Sequence, residues 1–353
     1  MQNPFTTTFS KIPDLSYIPT AQTNEIIDNF SYDRPSESLY KITGVRGSGK
    51  TVLLAKIEEE LGNEERKKEK WRVYRLSTGR DMLSQFLAAL IKDGFGKLSP
   101  KLKAANISAS VLGTGGGIGL SAENPGFTGD IGVEIDHILA REGAKGYHFL
   151  IGIDEVSKTP EMIIFALEFG KWLRAGYPVY VVCTGLYENM EQLSNVRNLT
   201  FFRRATTIKT EPLNMIRMAE MYHMRLKVDR DEAKKLAGLT RGYAYAFQKL
   251  GVICFNRHTT GDMEEIIFQL KSELYAYAYE KIWEELADQD KVLIRIISDH
   301  KEWKREEIQK NMEKPQNYSV YRERLLKRGL INTRRSYISL ALPFFGEYVN
   351  EFT

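Results

Sequence analysis

The sequence has 353 residues, 42% of them hydrophobic and 27% charged, with a formal net charge of +4. That length allows two or three globular domains, and the balance excludes a disordered chain; no apolar run approaches the roughly 20 residues of a membrane span. Residues 1–10 carry neither a basic run nor an apolar one, and Cys183 and Cys254 lie in apolar segments. Neither a secretory signal nor a disulfide framework is therefore expected, and a reducing cytoplasm is the expected compartment.

Residues 39–43 alternate like a short strand and run into a glycine-rich loop, Gly44 to Gly49. Thr51 to Leu61 places Val52, Leu53, Leu54, Ile57 and Leu61 at helical spacing. The charge run Glu64 to Lys70 reads as a solvated connection, Trp71 to Leu76 as a strand and Asp81 to Lys92 as a helix. Ile107 to Ser121 alternates small and apolar residues around five glycines. Its spacing does not match G-x-G-x-x-G, so a glycine-rich β-hairpin inserted at about 100–130 is the expectation. A helix near 131–141, a strand His148 to Ile153, a helix Glu161 to Ala175, a strand Val179 to Thr184 and a fifth strand Phe201 to Lys209 complete the series. Strands alternating with helices imply a parallel sheet, and continuous apolar runs such as 179–183 suit strands covered on both faces.

From Pro212 the pattern is helical only: Met215 to Lys227, Arg230 to Leu239, Tyr243 to Phe255 and Met263 to Leu286. The methionines at 215, 218, 221 and 224 read as a core-packing face. Residues 287–353 give three helices (Lys291 to Ser298, Arg305 to Met312, Ser319 to Arg328) and a strand–turn–strand hairpin over 330–342, the order of a winged helix. The expected domains are 1–211, 212–286 and 287–353. Lys301 to Arg335 holds 11 Lys/Arg against 5 Glu, so the basic character lies near the C-terminus.

The segment Gly44-Val45-Arg46-Gly47-Ser48-Gly49-Lys50-Thr51 satisfies G-x-x-x-x-G-K-[ST] between a strand and a helix. Glycines let backbone N–H groups turn toward phosphates, where the helix N-terminus adds a favourable dipole. Lys50 would bring positive charge to the β- and γ-phosphates, and the Thr51 hydroxyl would bind Mg²⁺. Gly44, Arg46, Gly47, Ser48, Gly49, Lys50, Thr51 and Val52 are thus the candidate residues for ATP or ADP. The buried strand 148–153 delivers Asp154 and Glu155 at its C-terminal end, the ligand-binding edge of a parallel sheet. Asp154 would hold Mg²⁺ and Glu155 would polarise the attacking water. A dinucleotide site is excluded by Lys50-Thr51 in the loop, and the five histidines show no metal-ligand spacing.

With these motifs in hand, the chain resembles AAA+ ATPases of the branch that contains origin-recognition initiators, archaeal-type ATPases and STAND ATPases. The resemblance rests on Asn3-Pro4-Phe5 with Tyr17-Ile18-Pro19, the glycine loop, Ile153-Asp154-Glu155, Thr184-Gly185, Phe202-Arg203-Arg204, Gly242-Tyr243-Ala244-Tyr245 and the terminal winged helix. It implies an α/β P-loop core, a helical lid and Mg²⁺-dependent ATP hydrolysis. It also implies that Ile18 and Pro19 line the adenine, that Tyr243 belongs to the lid motif and that Thr184 is a sensor residue. Arg203 and Arg204 are then either an arginine finger for a neighbouring subunit in an ATP-dependent homo-oligomer or two surface arginines. For the winged helix the resemblance implies double-stranded DNA as a partner, with Tyr318, Arg322 and Arg324 on the recognition helix and Arg334 and Arg335 in the wing. A STAND-like switch with a protein-contacting or autoinhibitory winged helix is the alternative.

Overall fold

A computed structural model describes residues 2–8, 11–32, 34–96, 127–257, 262–299, 302–335 and 337–353, without the side chains of 127–130. In chain order the elements are α1 (Ala21–Phe30), β1 (Leu39–Thr43), α2 (Lys50–Leu61), α3 (Glu64–Lys68), β2 (Trp71–Leu76), α4 (Met82–Lys92), α5 (Phe127–Gly143), β3 (His148–Ile153), α6 (Pro160–Ala175), β4 (Val179–Gly185), α7 (Tyr187–Ser194), α8 (Thr200–Arg204) and β5 (Thr206–Lys209). There follow α9 (Met215–Leu226), α10 (Arg230–Thr240), α11 (Ala244–Arg257), α12 (Met263–Leu274), a π-helical turn (Tyr275–Tyr279) and α13 (Glu280–Glu284). The chain ends with α14 (Asp288–Ser298), β6 (Trp303–Lys304), α15 (Arg305–Lys310), α16 (Tyr318–Arg328), β7 (Ile331–Arg334), β8 (Tyr337–Leu340) and α17 (Phe345–Phe352). The chain divides into two units: one of residues 1–23, 43–55 and 209–353, the other of 24–42 and 56–208.

The second unit is built on a five-stranded parallel sheet of order β2-β3-β4-β1-β5. The β2–β3 register runs from Trp71 opposite His148 to Leu76 opposite Ile153, and β3–β4 from Phe149 opposite Val179 to Ile153 opposite Cys183. Every residue of β1 and β4 is buried, Lys41 and Thr43 of β1 included, and the continuous apolar run of β4 suits a strand covered on both faces. Phe86, Phe165, Phe169 and Trp172 fill the core against the sheet. α6 is bounded by local chemistry: the Thr159 hydroxyl accepts from the Met162 N–H, Pro160 takes the first turn, and Gly176 ends the helix in a left-handed cap.

The first unit has its own core, running from Phe5 and Ile18 through α9–α12 to Val349. A Cβ at Gly251 would collide with the Phe5 ring, which packs 5.6 Å from Tyr222 and 5.7 Å from Phe247; the N-terminal segment therefore needs that glycine to seat. The last part of this unit runs helix, strand, helix, helix, strand, strand, with an antiparallel sheet of order β6-β8-β7.

Several elements differ from expectation. The glycine-rich hairpin falls outside the described residues up to 126, and 127–130 begin α5 rather than ending a hairpin. Glu64–Lys68 forms a short helix instead of a loop, because Asn63 caps it and Lys67–Glu64 (2.7 Å) and Arg66–Glu69 (2.8 Å) pair along it. The fifth strand is only Thr206–Lys209; its expected first half is α8, one amphipathic turn that buries Phe202 and leaves Arg203 and Arg204 exposed. Met263 to Leu286 is broken by the π turn. The methionine spacing is not one packed face: each step of three residues rotates 300°, so Met218 is buried while Met215 and Met224 are 39% and 61% exposed.

Candidate functional site

The phosphate loop belongs to the first unit and is held by contacts within it. Thr43 carries β1 into the loop, and its carbonyl accepts from the Thr210 N–H at 2.8 Å. The Thr210 hydroxyl donates to the Ser48 hydroxyl at 2.8 Å, and a Cβ on Gly44 would overlap both side chains. Gly47 (φ 74°) lies in the left-handed region beneath the Tyr243 hydroxyl, so it is glycine for both conformation and space. Tyr243 Oη donates to the Arg46 carbonyl at 2.6 Å, and the Tyr245 N–H to the Gly47 carbonyl at 3.1 Å. Lys50 Nζ donates to the Gly44 and Val45 carbonyls (3.0 and 2.9 Å), which draws the ammonium across the loop whose phosphate it would meet. α2 begins at Lys50, and the Leu53 N–H closes its first turn on the Gly49 carbonyl at 2.9 Å.

Beside the loop opens a largely apolar cleft, about 580 Å³ counting its open mouth. Ile18, Ser48, Gly49 and Val52 line it, with Tyr17. Pro19 does not; its carbonyl takes Arg217 instead. Tyr243 bears on the loop rather than on the cleft, where its neighbour Ala244 stands. Sequence reasoning missed Thr210 and Gln248. Gln248 is legible only in three dimensions: its side chain accepts from the Thr6 N–H and the Ser16 hydroxyl, fixing the N-terminal segment that forms the cleft wall.

The carboxylates belong to the second unit. Asp154 follows β3, and Thr184, fully buried near the end of β4, donates its hydroxyl to Asp154 Oδ1. The Glu155 N–H reaches the same hydroxyl (3.2 Å) and Asp154 Oδ1 (3.1 Å), and the Val156 N–H donates to the Thr184 carbonyl at 2.8 Å. Thr184 thus fixes the corner on which both acids sit. Glu155 is exposed with φ 54°, a conformation costing about 1–3 kcal/mol for a non-glycine residue and found where structure over-determines it. One turn below, Glu58 faces Gly152, where any Cβ would strike its Oε1; burial pushes this carboxyl above the usual range, against the opposing pull of Arg75.

Two of the expected DNA contacts are corrected. Tyr318 is 3% exposed and packs into the first unit's core with Arg305 over its ring. Arg324 is turned inward onto Asp290, which is 0% exposed, through three hydrogen bonds of 2.6–2.9 Å. Arg334 and Arg335 are exposed and Arg322 is partly so. Among the described residues no helix is long and apolar enough to cross a membrane, and no three acids, histidines or cysteines form a metal cluster. A magnesium ion asks for less than such a cluster: one or two carboxylates with phosphate oxygens and water.

No family model matches the sequence, and no curated protein matches it significantly. Its fold is matched by solved structures. A Walker-type ATPase of Pyrococcus abyssi superposes over 95% of this chain and 96% of its own, with a TM-score of 0.63 at 13% identity. The ORC2 protein of Aeropyrum pernix, solved as ADPNP–ADP complexes, covers 95% of each chain with a TM-score of 0.55 at 11% identity. The fold is that of an AAA+ P-loop ATPase. Within that class it is the fold of the branch that holds the archaeal Walker-type ATPases and the ORC proteins.

Proposed function

We propose that this chain binds ATP with Mg²⁺ on the 44–51 loop, hydrolyses it, and through its nucleotide state controls DNA binding by a C-terminal winged helix. The observation that carries the reading is the loop itself: a complete P-loop in which close packing requires glycine at 44 and 47 and a positive φ favours it at 47 and 49, beside a largely apolar cleft. Lys50 and the leading N–H groups of α2 would hold the phosphates. Thr51 and Asp154 would hold Mg²⁺, which supplies charge neutralisation when bound. Glu155 would orient and polarise water, with Thr184 positioning it. The two acids follow β3 of the parallel sheet, whose carboxyl edge is where such folds bind ligands. Arg203 and Arg204, exposed at the end of α8, suit a finger acting on a neighbour's nucleotide in a homo-oligomer. The nucleotide-bound ORC2 structure of similar fold agrees with nucleotide as ligand.

Control has a physical route within the first unit. Arg46 of the loop pairs with Glu285 at 3.2 Å, just before α14, and Lys209 Nζ donates to the Leu326 carbonyl on α16. Arg328 of α16 donates to the Glu285 carbonyl at 3.3 and 3.4 Å. A change in the loop thus bears directly on the helix that carries Arg322, with Arg334 at the end of β7 and Arg335 in the turn after it. The same ties favour a second reading, a STAND-like switch whose C-terminal module restrains the loop and contacts protein. Two measurements separate them. Titration of ATP with Mg²⁺ should give binding that Lys50→Ala abolishes; retained binding in that variant would remove the loop from the account. Duplex DNA affinity that differs between the ADP and ATP states supports the first reading, and absence of DNA affinity in every state supports the switch.

A further inference from the structure

The cleft beside the phosphate loop holds one buried polar side chain whose hydrogen-bonding capacity the fold leaves unused. Ser48 and Gly49 of the loop belong to its lining, and Ile18, Val52, Leu53, Leu213 and Ala244 give it apolar walls. Its other polar side chains are committed elsewhere or exposed. Ser16 donates to the Pro4 carbonyl at 2.8 Å and to Gln248 Oε1 at 3.0 Å. Tyr17 and Thr20 meet the Thr23 hydroxyl at 3.5 and 3.0 Å, Thr210 donates to Ser48, and Glu211 is exposed. Gln248 is occupied on both atoms of its amide: Oε1 accepts from Thr6 and Ser16, and Nε2 donates to the Ser16 carbonyl at 3.3 Å. Gln22, in the first turn of α1, is the exception. It lines the cleft and is only 8% exposed, and among the described residues its amide neither donates to nor accepts from any group. A buried amide without a partner is costly, and native structures keep few of them. Its place is fixed by the turn around it, where the Thr23 N–H reaches back to the Thr20 hydroxyl at 3.4 Å.

We infer that Gln22 reads the base of the bound nucleotide: its amide pairs with the 6-amino group of adenine and the ring nitrogen beside it, and so selects nucleotides that carry that amino group. The inference rests on the nucleotide reading above and names the residue that chooses the base. A nucleotide whose phosphates lie on residues 44–51 would lay its base in the cleft that shares Ser48 and Gly49 with the loop. Apolar walls hold the faces of a ring but discriminate weakly between rings of one shape; a polar group at the ring's edge does that. A primary amide offers an acceptor oxygen and a donor nitrogen side by side. Adenine presents the complement, the N6 amino donor next to the N7 acceptor, and glutamine is one of the two side chains that meet this pair with two hydrogen bonds. A purine without the amino group would leave the amide oxygen without a donor, at a residue so little exposed that water cannot readily replace it.

The test titrates the full chain in a calorimeter, with Mg²⁺ present, with ATP and with purine riboside triphosphate, which is ATP without the 6-amino group. The wild type should bind ATP about tenfold more tightly, within the range of one bidentate amide–adenine pair. That ratio is measured on the wild type and does not depend on the folding of any variant. Gln22→Leu should weaken ATP until the two nucleotides bind alike, with Tm no lower than the wild type, because leucine replaces an unpartnered amide in an apolar lining. Gln248→Leu loosens the N-terminal segment that Gln248 holds, and should weaken both nucleotides equally and leave the ratio in place. A wild-type chain that binds the two nucleotides alike overturns the role of Gln22 and leaves the phosphate loop standing. A ratio that survives in Gln22→Leu assigns the amino group to another residue and overturns the inference in the same way. A wild-type chain that binds neither nucleotide overturns the nucleotide reading itself, and the inference with it.

Discussion

Replacing Arg324 with methionine should destabilise the first unit rather than weaken a DNA contact. Its guanidinium Nε lies 2.9 and 2.6 Å from the two Asp290 oxygens, and Nη2 lies 2.6 Å from Oδ1. Asp290 is fully buried in the first turn of α14, on the helix that also buries Leu293 and Ile294. Breaking a buried pair by removing one member costs about 3–5 kcal/mol, because the remaining charge is stranded. The Arg324 side chain is 33% exposed, so water reaches part of the pair and the lower end, about 3 kcal/mol, applies. At about 2–4 °C per kcal/mol, Tm should fall by about 6–12 °C in thermal unfolding followed by circular dichroism at pH 7. Exchanging both residues, Arg324→Met with Asp290→Leu, should recover most of the loss, since an apolar pair of similar volume carries no stranded charge. A single variant with wild-type Tm and a flattened DNA salt slope would refute this reasoning and return Arg324 to the DNA.

Three further outcomes follow from the geometry. Glu155→Gly relieves a left-handed non-glycine residue, so Tm should rise by about 1 kcal/mol equivalent while ATP turnover is lost; a variant that turns over ATP normally would remove Glu155 from the water-activating role. Tyr243→Phe deprives the Arg46 carbonyl of its donor, at about 1 kcal/mol, and should weaken nucleotide binding about fivefold in a calorimetric titration; unchanged affinity would sever the lid tyrosine from the loop. Burial pushes the Cys183 and Cys254 thiols up to about 12, so the reactive thiolate is scarce at pH 8 and grows only as pH nears that value. The folded chain should therefore release no colour from a disulfide reagent at pH 8, and two equivalents once denatured; rapid labelling of the native chain would contradict that burial.

What the sequence made legible was whatever rests on local pattern. β1, α2, β2, α4, β3, α6 and β4 each carry a clear period or a bounded apolar run, and their order defines the core. The turn from β1 into α2 was readable because its residues are contiguous, and the place of Asp154-Glu155 because a buried strand precedes them. What was not readable depends on residues far apart in the chain. Thr210 meets Ser48 across 162 positions and Gln248 meets Ser16 across 232, pairings that no spacing rule encodes. The same holds for Arg324: on a basic helix it looks like its neighbour Arg322, and only Asp290, 34 residues earlier, turns it inward. Short elements failed for a different reason. α8 and β6, of five and two residues, are set by the packing of Phe202 and by pairing with β8, with too few residues to show a period.

The central claim is ATP hydrolysis on the P-loop, with Glu155 as the group that activates water. The most direct test is phosphate release from ATP and Mg²⁺ by the wild-type chain and by Glu155→Gln, with nucleotide binding measured on the same samples. The account predicts turnover by the wild type, and a variant that binds ATP but releases no phosphate. Wild-type turnover by Glu155→Gln, or none by a wild-type chain that binds ATP, would contradict it.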